Sequence, residues 1–117
     1  MTRGAASPNI PPIDSVFRAL SDPTRRHVLE RLGLGPSSVS ELAEKFDMAL
    51  PSFVAHLKIL EVCGLVRSEK IGRVRTYRLV PKRLQLAEDW LARQRALWNR
   101  RLDQLDDYLI ALKEKRP

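Results

Sequence analysis

Residues 38–80 read SVSELAEKFDMALPSFVAHLKILEVCGLVRSEKIGRVRTYRLV, and a change of period inside this stretch decides the fold. Ser38-Val39-Ser40-Glu41 matches a capping box, in which a serine hydroxyl and a glutamate carboxylate satisfy two orphan amides at a helix start. Val39, Leu42, Ala43 and Phe46 then recur at i, i+3, i+4 and i+7, one face of a short helix. Asp47 to Leu50 form a tight connection. Pro51 opens a second helix, spanning 51–63, with Phe53, Leu57 and Leu60 on its inner face and Gly64 closing it. At Leu65 the period becomes extended. Val66 to Lys70 and Val74 to Val80 are short, rich in β-branched residues, and linked by Ile71-Gly72-Arg73. Two short helices joined by a tight turn, then a hairpin, are the order of a winged helix-turn-helix.

The hairpin is also where the charge sits. Residues 66–83 contain Arg67, Lys70, Arg73, Arg75, Arg78, Lys82 and Arg83 against a single carboxylate, Glu69. The chain as a whole carries a net charge of +7 over 117 residues, so the remainder is close to neutral. Charge concentrated in this way is an electrostatic footprint for phosphates, not a generally solubilising surface. A helix fits the major groove of double-stranded DNA and presents side chains to base edges, and a basic hairpin beside it reaches phosphates. Backbone positioning is therefore expected from Arg67, Lys70, Arg73, Arg75 and Arg78, with help from Lys58. Arg73, at the hairpin tip, is placed to enter a narrow minor groove. Base reading is expected from Leu50, Ser52, Val54, Ala55 and His56. For His56 two roles stand side by side, a DNA contact or a partly buried residue holding the turn.

Working outward, residues 1–12 hold three of the eight prolines and form an expected flexible arm. Ile13, Val16, Phe17 and Leu20 mark one face of a first helix. Asp22 can cap the next helix, Pro23 suits its first turn, and Val28, Leu29 and Leu32 give its apolar face. Downstream, residues 84–112 contain neither Pro nor Gly and return to a helical period. Leu91, Trp98, Leu105 and Leu112 recur every seven residues, with Leu102 and Leu109 beside them. A stripe this wide needs more cover than a small monomer provides. It fits a helix packed on one side against the first helix and on the other against a second copy. The dimer face expected from this combines Val16, Phe17 and Leu20 with Leu91, Trp98, Leu102, Leu105 and Leu109. The whole is a mainly α chain with a small β-hairpin (α+β): five helices, a two-stranded wing over 66–79, one domain over 13–112 and a tail over 113–117, assembled as a homodimer.

Other classes fit poorly. The first twelve residues carry no apolar segment of a secretory signal, and no apolar run approaches the roughly 20 residues of a membrane helix. One cysteine allows no internal disulfide and fits a reducing, cytoplasmic setting. Cys63 is expected to be a structural thiol, because the chain has no second cysteine to resolve an oxidised one. There is no paired nucleophile and base, no Gly-rich phosphate loop and no metal cluster, so neither an enzyme nor a cofactor is expected. The alternative is a winged-helix module that binds protein and never touches DNA, against which the charge of the hairpin argues.

Four segments carry a resemblance: FRALSDPTRRHVLERL (17–32), SVSELAEKFDM (38–48), HLKILEVCGLV (56–66) and GRVRTYRL (72–79) resemble, in this order, the ArsR family of bacterial winged-helix repressors. The resemblance spans nearly all of 13–112. It implies a homodimer on a partly palindromic operator and a regulator released from DNA by an effector. The metal-sensing cysteines of many members are absent from ELAEKF, and the last helix has no histidine, which resembles the branch without metal sites. Asp103, Asp106 and Asp107 there are expected to form a solvated face. The small polar groups usual at the start of the reading helix are replaced by Ala49-Leu50 and Val54-Ala55. Either these apolar groups contact thymine methyls and share readout with DNA shape, or Leu50 and Val54 pack inward and base contact is sparse.

Overall fold

The computed structural model describes residues 11–115. Residues 1–10, most of the expected arm, and residues 116–117 lie outside the described residues. The elements are α1 (Pro12–Leu20), α2 (Pro23–Leu32), β1 (Ser37–Ser38), α3 (Val39–Ala43), α4 (Leu50–Val62), β2 (Val66–Ile71), β3 (Val74–Leu79), a 3-10 turn (Pro81–Arg83) and α5 (Leu84–Glu114). The chain divides into two units, one through Ala87 and one from Glu88 onward.

In the first unit, local chemistry sets each helix start. The Asp22 carboxylate accepts the Arg25 amide at 3.1 Å and so caps α2. The capping box of α3 is complete: Ser38 Oγ accepts the Glu41 amide at 3.2 Å, and Glu41 Oε1 accepts the Ser38 amide at 3.0 Å. The end of α1 is tied by side chains from the following helix. Arg25 Nε donates to the Ala19 carbonyl at 2.8 Å, and Arg26 Nη1 donates to that of Leu20 at 2.7 Å. Cations beside the carbonyl end of a helix satisfy orphan acceptors and complement its dipole.

α4 ends in a Schellman motif. The Gly64 amide donates to Glu61 O and the Leu65 amide to Leu60 O, both at 3.0 Å. Gly64 sits at φ +78°, a conformation that side chains disfavour. This turn drives Leu65, fully buried, into the core and aims the chain into β2. The hairpin closes over Gly72-Arg73, with Ile71 opposite Val74 and Gly72 at φ +64°, as a two-residue connection requires.

Sequence periodicity misses one strand. β1 pairs with β3 in antiparallel register, Ser37 opposite Tyr77 and Ser38 opposite Thr76, giving sheet order β1-β3-β2. Two residues are too few to show an alternation, and they also supply the N-cap of α3. The core joins Val16 and Ala19 of α1, Val28, Leu29 and Leu32 of α2, Leu42, and Phe53, Leu57 and Leu60 of α4 to Val66 and Tyr77 at the hairpin base. Fully buried aliphatic side chains of this kind each contribute roughly 1.5–3 kcal/mol. Phe46 stacks on Phe53 with ring centroids 5.0 Å apart, which holds the turn between α3 and α4.

The second unit is the body of α5. Leu91, Trp98, Leu102, Leu105, Leu109 and Leu112 are all exposed along it, Trp98 at 60%. The Arg101 guanidinium lies over the Trp98 ring, 6.0 Å from its centroid.

Candidate nucleic-acid interface

Phe53, Leu57 and Leu60 of α4 turn into the core, His56 and Glu61 are partly buried, and its other residues face outward. Ser52, Ala55 and Lys58 are exposed, as are Leu50 at 56% and Val54 at 42%. The possibility that Leu50 and Val54 pack inward is thereby ruled out. Ala49 gives α4 no side-chain cap, and Pro51 in the first turn needs none of its own amide. His56 is half-buried: its Nδ1 lies 3.1 Å from Arg25 Nη1 and 3.7 Å from Asp22 Oδ2. Burial acts to raise the Asp22 carboxyl, but the Arg25 amide, the positive charge His56 carries when its ring is protonated, the Arg25 guanidinium and the Thr24 amide together outweigh it. They hold the carboxyl below the ordinary value.

The wing sorts its cations by face. Directly opposed residues of an antiparallel pair share a face. Lys70 and Arg75 are opposed and lie on the face of Ser68 and the buried Tyr77, toward the body of the unit. Arg67 and Arg78 are opposed one step away and lie on the other face, where Arg78 Nη2 is 3.9 Å from Glu69 Oε1. Arg73 occupies the tip. The hairpin is braced to α4 by a short chain: Arg75 Nη1 donates to Ser68 Oγ at 2.8 Å, and that hydroxyl donates to Glu61 Oε2 at 2.8 Å.

A groove of about 610 Å³ collects the result. Val54 of α4, Lys70, Arg73, Val74, Arg75 and Tyr77 of the wing, and Ser38, Val39 and Ser40 line it. Three of the expected wing cations therefore converge beside the outward face of α4, while Arg67 and Arg78 do not. The two serines are additions to the expected set. Their signal in the sequence is the capping box itself, which places hydroxyls at a helix start. Val16 has no accessible surface, so it belongs to the core and is not available to a partner, whereas Phe17 keeps 36% exposure. Cys63 Sγ lies 3.5 Å from the Ser15 carbonyl, and burial pushes its thiol up against the opposing charges of Arg25, Arg83 and Arg18.

A protein-family model described as a helix-turn-helix domain matches residues 20–69. The chain is 38% identical over 89 residues to the HTH-type transcriptional regulator Rv2034 of Mycobacterium tuberculosis, covering 76% of this chain and 80% of that protein. It is 34% identical over 79 residues to the transcriptional repressor SdpR of Bacillus subtilis, covering 68% and 88%. The crystal structure of an ArsR family transcriptional regulator matches with a TM-score of 0.73 at 50% identity, over 76% of this chain and 98% of that one. The chain belongs to the ArsR family. A further match is the homodimeric winged helix-turn-helix DNA-binding domain Mb0332 of Mycobacterium bovis. It has a TM-score of 0.58 and 25% identity, over 74% of this chain and 82% of that one. In this ArsR-family chain, no three His, Cys, Asp or Glu residues converge on a common point among the described residues. No helix among them is long and apolar enough to cross a membrane.

Proposed function

We propose that this ArsR-family chain is a sequence-specific DNA-binding repressor that works as a homodimer on a palindromic operator. The observation that carries the reading is the groove in which Lys70, Arg73 and Arg75 converge beside the exposed face of α4. α4 enters the major groove with Leu50, Ser52, Val54, Ala55 and His56 toward base edges. The apolar members meet thymine methyls, and Ser52 and His56 supply polar contact. Lys70, Arg73 and Arg75 hold one phosphate strand, with Lys58, Ser38 and Ser40 alongside. Arg67 and Arg78 act more remotely, as part of the field that steers approach.

Dimerisation follows from the unpartnered stripe of α5. Leu91, Trp98, Leu102, Leu105 and Leu109 would bury one another's surface across a two-fold axis, with Phe17 and Leu20 contributing from α1. Two reading helices related by a dyad meet successive major grooves about 34 Å apart, and both halves add to one binding energy. An effector that altered the angle between subunits would spoil this fit and release DNA. In this reading the chain binds and does not catalyse, and it acts on DNA in the bacterial cytoplasm.

Selection of bound duplexes from a random pool by the purified protein tests the reading. The expected yield is one motif with dyad symmetry and half-sites one helical turn apart. Recovery of unrelated sequences in proportion to their input would refute it.

A further inference from the structure

Arg25 joins three elements through one side chain. Its Nε donates to Ala19 O at 2.8 Å and its Nη2 to Arg18 O at 3.2 Å, both at the end of α1, and its Nη1 meets His56 Nδ1 of α4 at 3.1 Å. We propose that Arg25 is a positioning residue that holds His56 as an Nε2–H donor toward DNA. This deepens the DNA-binding reading and rests on it.

The count of hydrogens fixes the tautomer. A guanidinium has five donors, no acceptor, and keeps its proton. In the contact with Arg25, His56 Nδ1 must therefore accept, which leaves that nitrogen bare. The neutral ring then carries its one proton on Nε2. Nε2 has no partner among the described residues, and no side-chain nitrogen or oxygen there is both buried and unpaired. It is therefore not sealed from solvent, on a helix whose neighbouring turn presents the exposed Ser52. Asp22 Oδ2, at 3.7 Å from Nδ1, pulls the other way, since a carboxylate favours a proton on the nitrogen it faces. It already accepts the Arg25 amide at 3.1 Å, and Arg25 stands nearer to the ring.

A fixed Nε2–H donor selects acceptors. It can meet guanine N7 or O6, adenine N7, thymine O4 or a phosphate oxygen, and it rejects the amino groups of adenine and cytosine. A charged donor on the opposite ring nitrogen also polarises the ring and strengthens the outward N–H. Without Arg25 the ring can flip or change tautomer, and the same position then tolerates donors and acceptors alike. The loss should appear in discrimination between sequences more than in overall grip.

The test is a double-mutant cycle on the folded full chain. The readout is the ratio of affinity for a duplex selected by the wild type to that for a shuffled duplex of equal length. Arg25→Met should lower this ratio about fivefold to tenfold, and His56→Ala by a similar factor. In the His56→Ala background, Arg25→Met should lower it no further. A full additional loss there would show that Arg25 acts only by bracing α1, and would overturn the proposal. Long-range nitrogen-15 NMR of the free protein gives the second readout. His56 should be held in the Nε2–H form in the wild type and become a mixture in Arg25→Met; an Nδ1–H ring in the wild type would overturn the proposal. If no duplex is bound at all, the DNA reading fails by itself, and the NMR measurement still decides whether Arg25 holds the ring.

Discussion

Gly64 marks the point where α4 must pass the chain to the wing, and its φ of +78° is what the Schellman turn demands. A Cβ there would meet only the Arg83 side chain, at 3.4 Å, so the cost of a substitution is conformational and not steric. Gly64→Ala should lower the free energy of unfolding by about 1 kcal/mol, read from denaturant melts, while leaving the m-value unchanged. Two carboxylates add a pH dependence. Asp22 and Glu41 both titrate below their ordinary values in the fold, Glu41 because the Ser38 amide and hydroxyl bind its charged form. A depressed carboxyl stabilises fully above its unfolded value and loses that contribution as pH falls through the folded one. Stability should therefore decline on acidification from about pH 5 to about pH 3, and Asp22→Asn, which can still cap, should flatten part of that slope. Both caps are legible in the sequence because cap and amide are three residues apart. The Arg25 clamp is not, since its partners lie six, seven and 31 residues away and no local pattern links them.

Each secondary-structure element shows a different degree of legibility. α4 and its inner face follow from spacing alone, and the hairpin from its turn glycine. The division of the wing into two faces is latent in the same residues. It needs the register, which pairs Lys70 with Arg75 and Arg67 with Arg78. The consequence is a difference between cations of equal charge. Lys70→Ala should reduce DNA affinity and lower the steepness of its salt dependence by about one phosphate. Arg67→Ala, on the far face, should change the salt slope by less than half as much. Anisotropy titrations of a labelled duplex at several salt concentrations measure both. Equal slopes for the two variants would exclude the groove as the phosphate site. Arg75 is a poorer probe, because it also braces Ser68 and Glu61 and its loss would loosen the wing.

At the level of the assembled protein, α5 presents an apolar stripe that its own unit leaves exposed, and water is a poor partner for it. Heptad spacing alone makes this stripe visible, but Val16, which shares the first-helix pattern, belongs to the core. Periodicity marks an apolar face without saying which neighbour covers it. Leu105→Lys, at an exposed position, should leave the first unit folded and convert the protein to monomers in sedimentation. Its DNA affinity should fall by well over tenfold, since half of the contacts are then lost. The most direct test of a dimer gripping phosphates is the affinity of the wild-type protein for a duplex it has selected, measured across salt concentration. Two chains should bind per duplex, with a logarithmic slope of roughly −0.9 for each phosphate neutralised. A flat salt response, or saturation at one chain per duplex with undiminished affinity, would contradict it.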